Sequence, residues 1–357
     1  MIPGSPELDY TARVPHPDKV PKAMQSQDSG PEAVNPNQSS PGGVTGTAAV
    51  HRSGRAWFLL LFMGVLWGLS FSLAKMATEG GAHPIGINFW CCLIGATILV
   101  TGGFLLKRPL PLRRDVITIS IICGIVGSVI PGTAYFYAAS RLSPGVLSIT
   151  VATVPLMTFL AAAVLRIERL SAIRMLGVVL GVVSIVLLVA PSESLPDRSA
   201  VPWVLLAIGS ALCYTIENLI IAVRMPPDIP VYSIVGGMFL AASIIMTPLV
   251  LITGTFEPLI LPWGRPQWAI LGMAMIGVTA YGLFLYLVSY AGPVFASQTA
   301  YVVTLAGVMW GILIFNDSHS VWVWLSLVVM IIALALVTPD REQAIKLRRR
   351  RADRKTA

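Results

Sequence analysis

From Ala56 to Val337 the apolar residues run in stretches of about 17–25, separated by short breaks rich in Pro, Gly and charge. That is the length a helix needs to cross the hydrocarbon core of a bilayer. Ten such stretches occur, at about 56–75, 84–105, 115–138, 143–165, 172–190, 201–223, 230–252, 266–290, 293–315 and 321–338. The pattern predicts an all-α integral membrane protein of ten transmembrane helices. Strands of a membrane barrel would be half as long and would alternate strictly, which these segments do not. The third and fourth stretches are joined by RLSPG, and the eighth and ninth by YAGPV.

Those two turns belong to a repeat. A shift of 149 residues places Tyr137 on Tyr286, Ser140 on Ser289, Pro144 on Pro293, Ser148 on Ser297 and Glu168 on Asp317. Each copy holds five stretches, at 56–190 and 201–338. Five is odd, so the second copy enters the membrane in the opposite sense. The prediction is an inverted repeat, an architecture common in secondary transporters.

Charge sets the orientation. With both termini cytoplasmic, the short inner segments carry Arg52, Arg55, Lys107, Arg108, Arg113, Arg114, Arg166, Arg169, Arg174 and Arg224. The other side holds Arg141, Arg198 and Arg265, with Lys75 at a helix end. The positive-inside rule therefore predicts cytoplasmic N- and C-termini, and the expected location is the plasma (inner) membrane. Trp203, Trp263, Trp268, Trp322 and Trp324 gather at the outer helix ends, as an interfacial belt does. The turn RIERLSAIR is basic and falls inside; its repeat partner FNDSHSVWV has no Lys or Arg and falls outside.

Composition agrees with this picture. The chain is 55% hydrophobic and only 12% charged, about half the charged share of an average soluble protein. Its net charge of +8 is concentrated in the tail 339–357, where eight basic residues face three acids. Directly after an apolar helix, such a tail reads as a cytoplasmic anchor on anionic lipid rather than a nucleic-acid site. Residues 1–52 lack a sustained apolar run and read as a disordered cytoplasmic tail. Cys91, Cys92, Cys123 and Cys213 lie in apolar runs without metal-ligand spacing, so neither a disulfide nor zinc is expected. The sequence shows no Ser/His/Asp set, phosphate loop or metal cluster. It predicts no enzyme, no metal and no cofactor.

The residues WGLSFSLAK in helix one, TVPLMTFLAAAVLRIERLS at the fourth-to-fifth junction and LGVVLGVVSIVLLV in helix five resemble the drug/metabolite transporter superfamily. The resemblance is to its ten-helix branch of two EamA-type repeats, over about residues 56–338. It implies transport of small metabolites, more often export. It also implies a central cavity between helices one to four and six to nine, with five and ten peripheral. The second copy departs from the pattern at Thr304, which stands where the first copy has Pro155. It departs again at Cys213, opposite Trp67, and at Asp317 in place of Glu.

Polar groups inside the membrane are costly and usually functional. On helix one, Gly64, Trp67, Gly68, Phe71 and Lys75 share an arc. The two glycines form a small-xxx-small pair for close helix approach. Trp67 and Phe71 are candidate cavity walls. Lys75 has two readings, a snorkelling anchor or a cavity cation. Helix six carries CYTIENL, which puts Tyr214 and Glu217 on one face with Asn218 at its edge. A lone carboxylate there costs about 2.5–3.5 kcal/mol on insertion scales. Glu217 is therefore a candidate for substrate ammonium or proton coupling, against a packing-only hydrogen bond. Tyr137, Tyr286, Ser289 and Tyr301 complete the candidate cavity. Pro155 removes a helical hydrogen bond and is a hinge candidate.

The leading expectation is a secondary transporter of small metabolites, amino acids or related amphiphilic compounds. Export by alternating access is expected, with a proton gradient as a possible drive. A sugar-phosphate or nucleotide-sugar carrier would want several cavity cations. A multidrug carrier would want a carboxylate in helix one. A non-transporting scaffold or regulator is the reading from another class. The expected partners are the bilayer and a small-molecule substrate.

Overall fold

The computed structural model describes residues 54–168, 170–191, 195, 198–226 and 228–338. The expected disordered tail and basic anchor lie outside these residues. The described residues form helices and no strands. These are α1 Gly54–Glu79, α2 Pro84–Leu105, α3 Arg114–Ala139, α4 Pro144–Val164 and α5 Ala172–Val189. The second series is α6 Val201–Arg224, α7 Val231–Ile252, α8 Arg265–Ala291, α9 Thr299–Phe315 and α10 Val321–Val337. The first eight are long and apolar enough to cross a membrane. α9 and α10 are equally apolar but have 17 residues each. At 1.5 Å per residue they span about 25 Å, short of a hydrocarbon core of about 30 Å.

Local chemistry places the helix starts. Pro84 and Pro144 occupy first-turn positions, where a missing N–H leaves no gap in the hydrogen-bond ladder. Ahead of them His83 accepts from the Ile85 N–H at 3.3 Å, and Ser143 accepts from Val146 at 3.3 Å. α8 starts at Arg265–Pro266, with Gln267 reaching back to the Gly264 N–H at 3.0 Å. Asn316 ends α9 in the left-handed conformation, φ 53°.

Three helices differ from the uninterrupted stretches that hydropathy predicts. α3 contains a π turn over Ile125–Val129, just before Pro131, which has no N–H to give. α4 is interrupted at Ala152, near the carbonyls that Pro155 cannot serve. The ninth stretch breaks at Ser297–Gln298 into a short turn, Pro293–Ala296, and α9. There Gln298, Ala300 and Tyr301 bond three residues back, and the Thr299 hydroxyl caps Ala296 at 2.7 Å. Tight bonds and a competing hydroxyl end the regular helix.

Helix neighbours follow the repeat. α1 packs between α8 and α9, and its counterpart α6 packs between α3 and α4. α2 pairs with α7, α4 with α9 and α5 with α10. α8 also meets α2, as α3 meets α7. Exchanging each helix for the one five places along reproduces every one of these pairs. Gly64 and Gly68 do admit a neighbour: a Cβ at either would lie 2.6 Å from Val302 or Ala306 of α9. The α5–α10 pair is locked by two buried hydroxyls. Ser184 donates to the Ser326 carbonyl at 2.7 Å, and Ser326 to the Ser184 carbonyl at 2.8 Å.

Candidate functional site

Glu217 sits on α6, its carboxyl group against the π turn of α3. A Cβ built on Gly127 would lie 2.6 Å from Oε2 and 2.7 Å from Oε1, so only a glycine leaves room. Tyr214 of α6, Tyr281 of α8 and Cys123 of α3 lie within electrostatic range of this carboxyl. Tyr135 of α3 lies within electrostatic range of Tyr214 and Cys91. Phe71 of α1 meets the Tyr135 ring at 6.1 Å between centroids. The residues joined here come from α1, α2, α3, α6 and α8, and so from both repeats.

The π turn is held from α2. Asn88, only 4% exposed, directs its amide nitrogen at the carbonyls of Ser128 (3.0 Å) and Val129 (3.3 Å) and at Thr133 Oγ1 (3.1 Å). The Ser210 hydroxyl of α6 donates to the Pro131 carbonyl at 2.9 Å. Backbone groups that irregular helix leaves without partners are thus satisfied by side chains from two neighbouring helices.

The ion pairs lie elsewhere. Lys75–Glu79, Arg113–Asp115, Arg113–Asp228 and Arg174–Glu168 all sit at helix ends or in turns. Among the described residues none of these pairs reaches Glu217.

Of the expected site residues, the structure brings Tyr214 and Glu217 together and puts Phe71 beside Tyr135. Trp67 is half-buried and faces the α1–α8 interface. Lys75 is bound to Glu79 one turn on, at 3.3 Å. Tyr137 meets His83, its hydroxyl 3.5 Å from Nε2. Asn218 and Ser289 are exposed. Tyr286 is exposed as well, stacked on Tyr290 with the Arg55 guanidinium 5.9 Å from each ring. Its repeat partner Tyr137 is half-buried, so the two copies use this tyrosine differently. Tyr301 is tied to Thr338 after α10 at 2.5 Å.

Sequence reasoning missed Asn88, Gly127, Tyr135 and Tyr281. Asn88 was visible as the one amide in PIGINFWCC. The π turn had only the small residues and proline of VGSVIPG to announce it.

A second polar group closes the opposite end of α4 and α9. Asp317 and His319, in the turn after α9, press on Gly311 and Gly145. Asp317 Oδ2 and His319 Nε2 are buried without hydrogen-bond partners. Burial raises the Asp317 carboxyl above its ordinary range, with Glu79 adding and His319 and Lys75 opposing. Burial lowers His319, and Asp317 partly offsets it. A histidine depressed in the packed state binds fewer protons there than when exposed. The contribution of neutral His319 to the packing of this turn is therefore complete above about pH 6.5 and falls away below it. Asp317 works the other way, gaining from acid nearer its own range. Amide exchange over 316–320, corrected for intrinsic rate, is expected to be faster at about pH 5.5 than at about pH 7.5, the range where histidine titrates. His319→Phe should remove the difference; equal rates in the parent protein would exclude a buried neutral His319.

A helical membrane protein of two repeats, with a carboxyl group seated between them, defines the class. The profile of the EamA-like transporter family matches residues 54–190 and 201–338, and the chain belongs to that family. It is a membrane transporter by kind. Among its relatives is the uncharacterized inner membrane transporter YedA of Escherichia coli K12, 25% identical over 286 residues. That alignment covers 78% of this chain and 89% of YedA. YedA of strain O157:H7 matches to the same extent. A solved crystal structure shares the fold, with a TM-score of 0.55 and 19% identity over 80% of this chain and 97% of that one.

Proposed function

We propose that the chain is a secondary transporter that crosses the inner membrane ten times, with both termini cytoplasmic. Its cargo is small amphiphilic metabolites bearing an amine, such as amino acids, and it exports them by alternating access. The observation carrying this reading is Glu217: a carboxylate in mid-helix, without a cation partner among the described residues, neighboured by Tyr214 and Tyr281. A carboxylate in such a place is stabilised by a proton or by an ammonium group. Aromatic rings supply a surface for the apolar part of the same ligand and attract its cationic head. A phosphate carrier is less well supported, because Lys75 is paired with Glu79 and Arg141 lies over Trp203 at 5.7 Å. Pro155 and the break at Ala152 supply the hinge. In proteoliposomes, Glu217→Gln is expected to abolish the dependence of amino-acid flux on an imposed pH gradient. Flux that keeps its full pH-gradient dependence in the variant would sink the role given to Glu217.

A further inference from the structure

We infer that Asn88 and Gly127 are positioning residues for Glu217, acting through the π turn of α3. The inference rests on Glu217 being the binding carboxylate, as proposed above.

The π turn widens α3 at Ile125–Val129 and takes its backbone out of the regular i to i−4 ladder. Such a distortion persists only when neighbouring groups satisfy what it frees. Asn88 does this from α2 with three acceptors within 3.3 Å. Its own carbonyl oxygen accepts from the Cys92 thiol at 3.7 Å, so the amide is oriented from both ends. Gly132 makes the space: a Cβ there would lie 2.8 Å from Asn88 Cγ and 2.9 Å from Nδ2. One turn away, Gly127 presents bare backbone to the Glu217 carboxyl. Ser210 fastens α6 to the same turn at Pro131. Asn88 fixes the turn, the turn presents Gly127, and Gly127 sets how deep the carboxylate lies.

The carboxylate lies within electrostatic range of Cys123 of α3, Tyr214 on its own helix and Tyr281 of α8. Pushing it off Gly127 changes its distance to those groups and to water, and so its affinity for a proton. A methyl at 127 or loss of the Asn88 amide therefore alters the protonation of Glu217 without removing it.

The test needs no knowledge of the substrate. Dicyclohexylcarbodiimide labels protonated carboxyls in apolar surroundings, and peptide mass spectrometry reads the labelling of Glu217 against pH. Gly127→Ala and Asn88→Ala are each expected to move the labelling midpoint by about half a pH unit or more, about threefold in proton affinity. Size-exclusion profiles identify folded protein, and if Gly127→Ala does not fold, Asn88→Ala decides. A lowered melting temperature with an unmoved midpoint in the folded variant means a structural role only and overturns the inference. If Glu217→Gln removes the pH-gradient dependence while these midpoints stay fixed, the positioning is wrong and the carboxylate role stands. If Glu217→Gln leaves transport unchanged, the underlying reading fails, whatever the labelling shows.

Discussion

Valine at position 307 is expected to destabilise the protein by about 1–3 kcal/mol, the usual cost of overpacking a tight contact. Gly307 lies where α9 meets both α4 and α1. A Cβ there would lie 2.5 Å from Ser148 Cβ, 2.8 Å from Ser148 Oγ and 3.1 Å from the Phe71 ring. Ser148 has no room to retreat: it is 1% exposed and its hydroxyl is committed to the carbonyls of Gly145 (2.9 Å) and Thr304 (3.1 Å). On the other side Gly68 of α1 approaches the Gly307 backbone. The strain therefore reaches three helices at once. Thermal unfolding in detergent, followed by tryptophan fluorescence, measures it. Gly209→Ala is the control, since nothing lies within 4 Å of a Cβ there. Equal melting of Gly307→Val and the parent protein would contradict the contact.

Removing Glu168 is expected to cost more than removing the arginine it serves. Arg174 is 9% exposed in its side chain, donates to Glu168 Oε2 at 2.5 Å and lies 5.2 Å over the Phe159 ring. Glu168→Ala leaves a buried guanidinium with no counter-charge. Breaking a buried pair costs about 3–5 kcal/mol. Glu168 is itself 36% exposed, so solvent screening puts the expected value at the lower end, about 3 kcal/mol. Arg174→Met keeps an apolar stem in the site and leaves only a carboxylate that water can reach, at about 1 kcal/mol. Denaturation of the two variants side by side checks the order. If Arg174→Met proves the more damaging, the pair is not held together by the burial of its cation.

The same pair shows how the repeats diverged. Asp317 occupies the Glu168 position of the second copy, but Val323 stands where the partner arginine would be. Asp317 instead feels His319 and Lys75 only through their charge. Alignment of the copies exposed the missing arginine; it did not show where Asp317 would go. Tyr137 and Tyr286 make the same point. Repeat equivalence predicted a shared role, and the structure gives one a histidine and the other an arginine on an open face.

The site was only partly readable along the chain. Glu217 and Tyr214 were visible because a carboxylate in an apolar helix has a large transfer cost and a residue three positions away shares its face. Asn218, Ser289 and Tyr301 carried the same polar signal but belong to other surroundings, since polarity does not say which neighbour a side chain meets. Asn88 and Gly127 carried little signal. An amide is cheaper to bury than a charge, and a glycine has no side chain to read.

The sequence by itself determined that this is a helical membrane protein of two repeats. Segment length and the 149-residue shift are one-dimensional quantities, and bilayer thickness and self-comparison of the chain read them directly. Only the tertiary structure decided that the Glu217 carboxyl lies against the π turn of α3, that Asn88 holds that turn and that Tyr281 and Tyr135 stand near. Those relations join α2, α3, α6 and α8 across up to about two hundred residues of chain. They depend on hydrogen bonds and close contacts between helices, whose geometry no local period records.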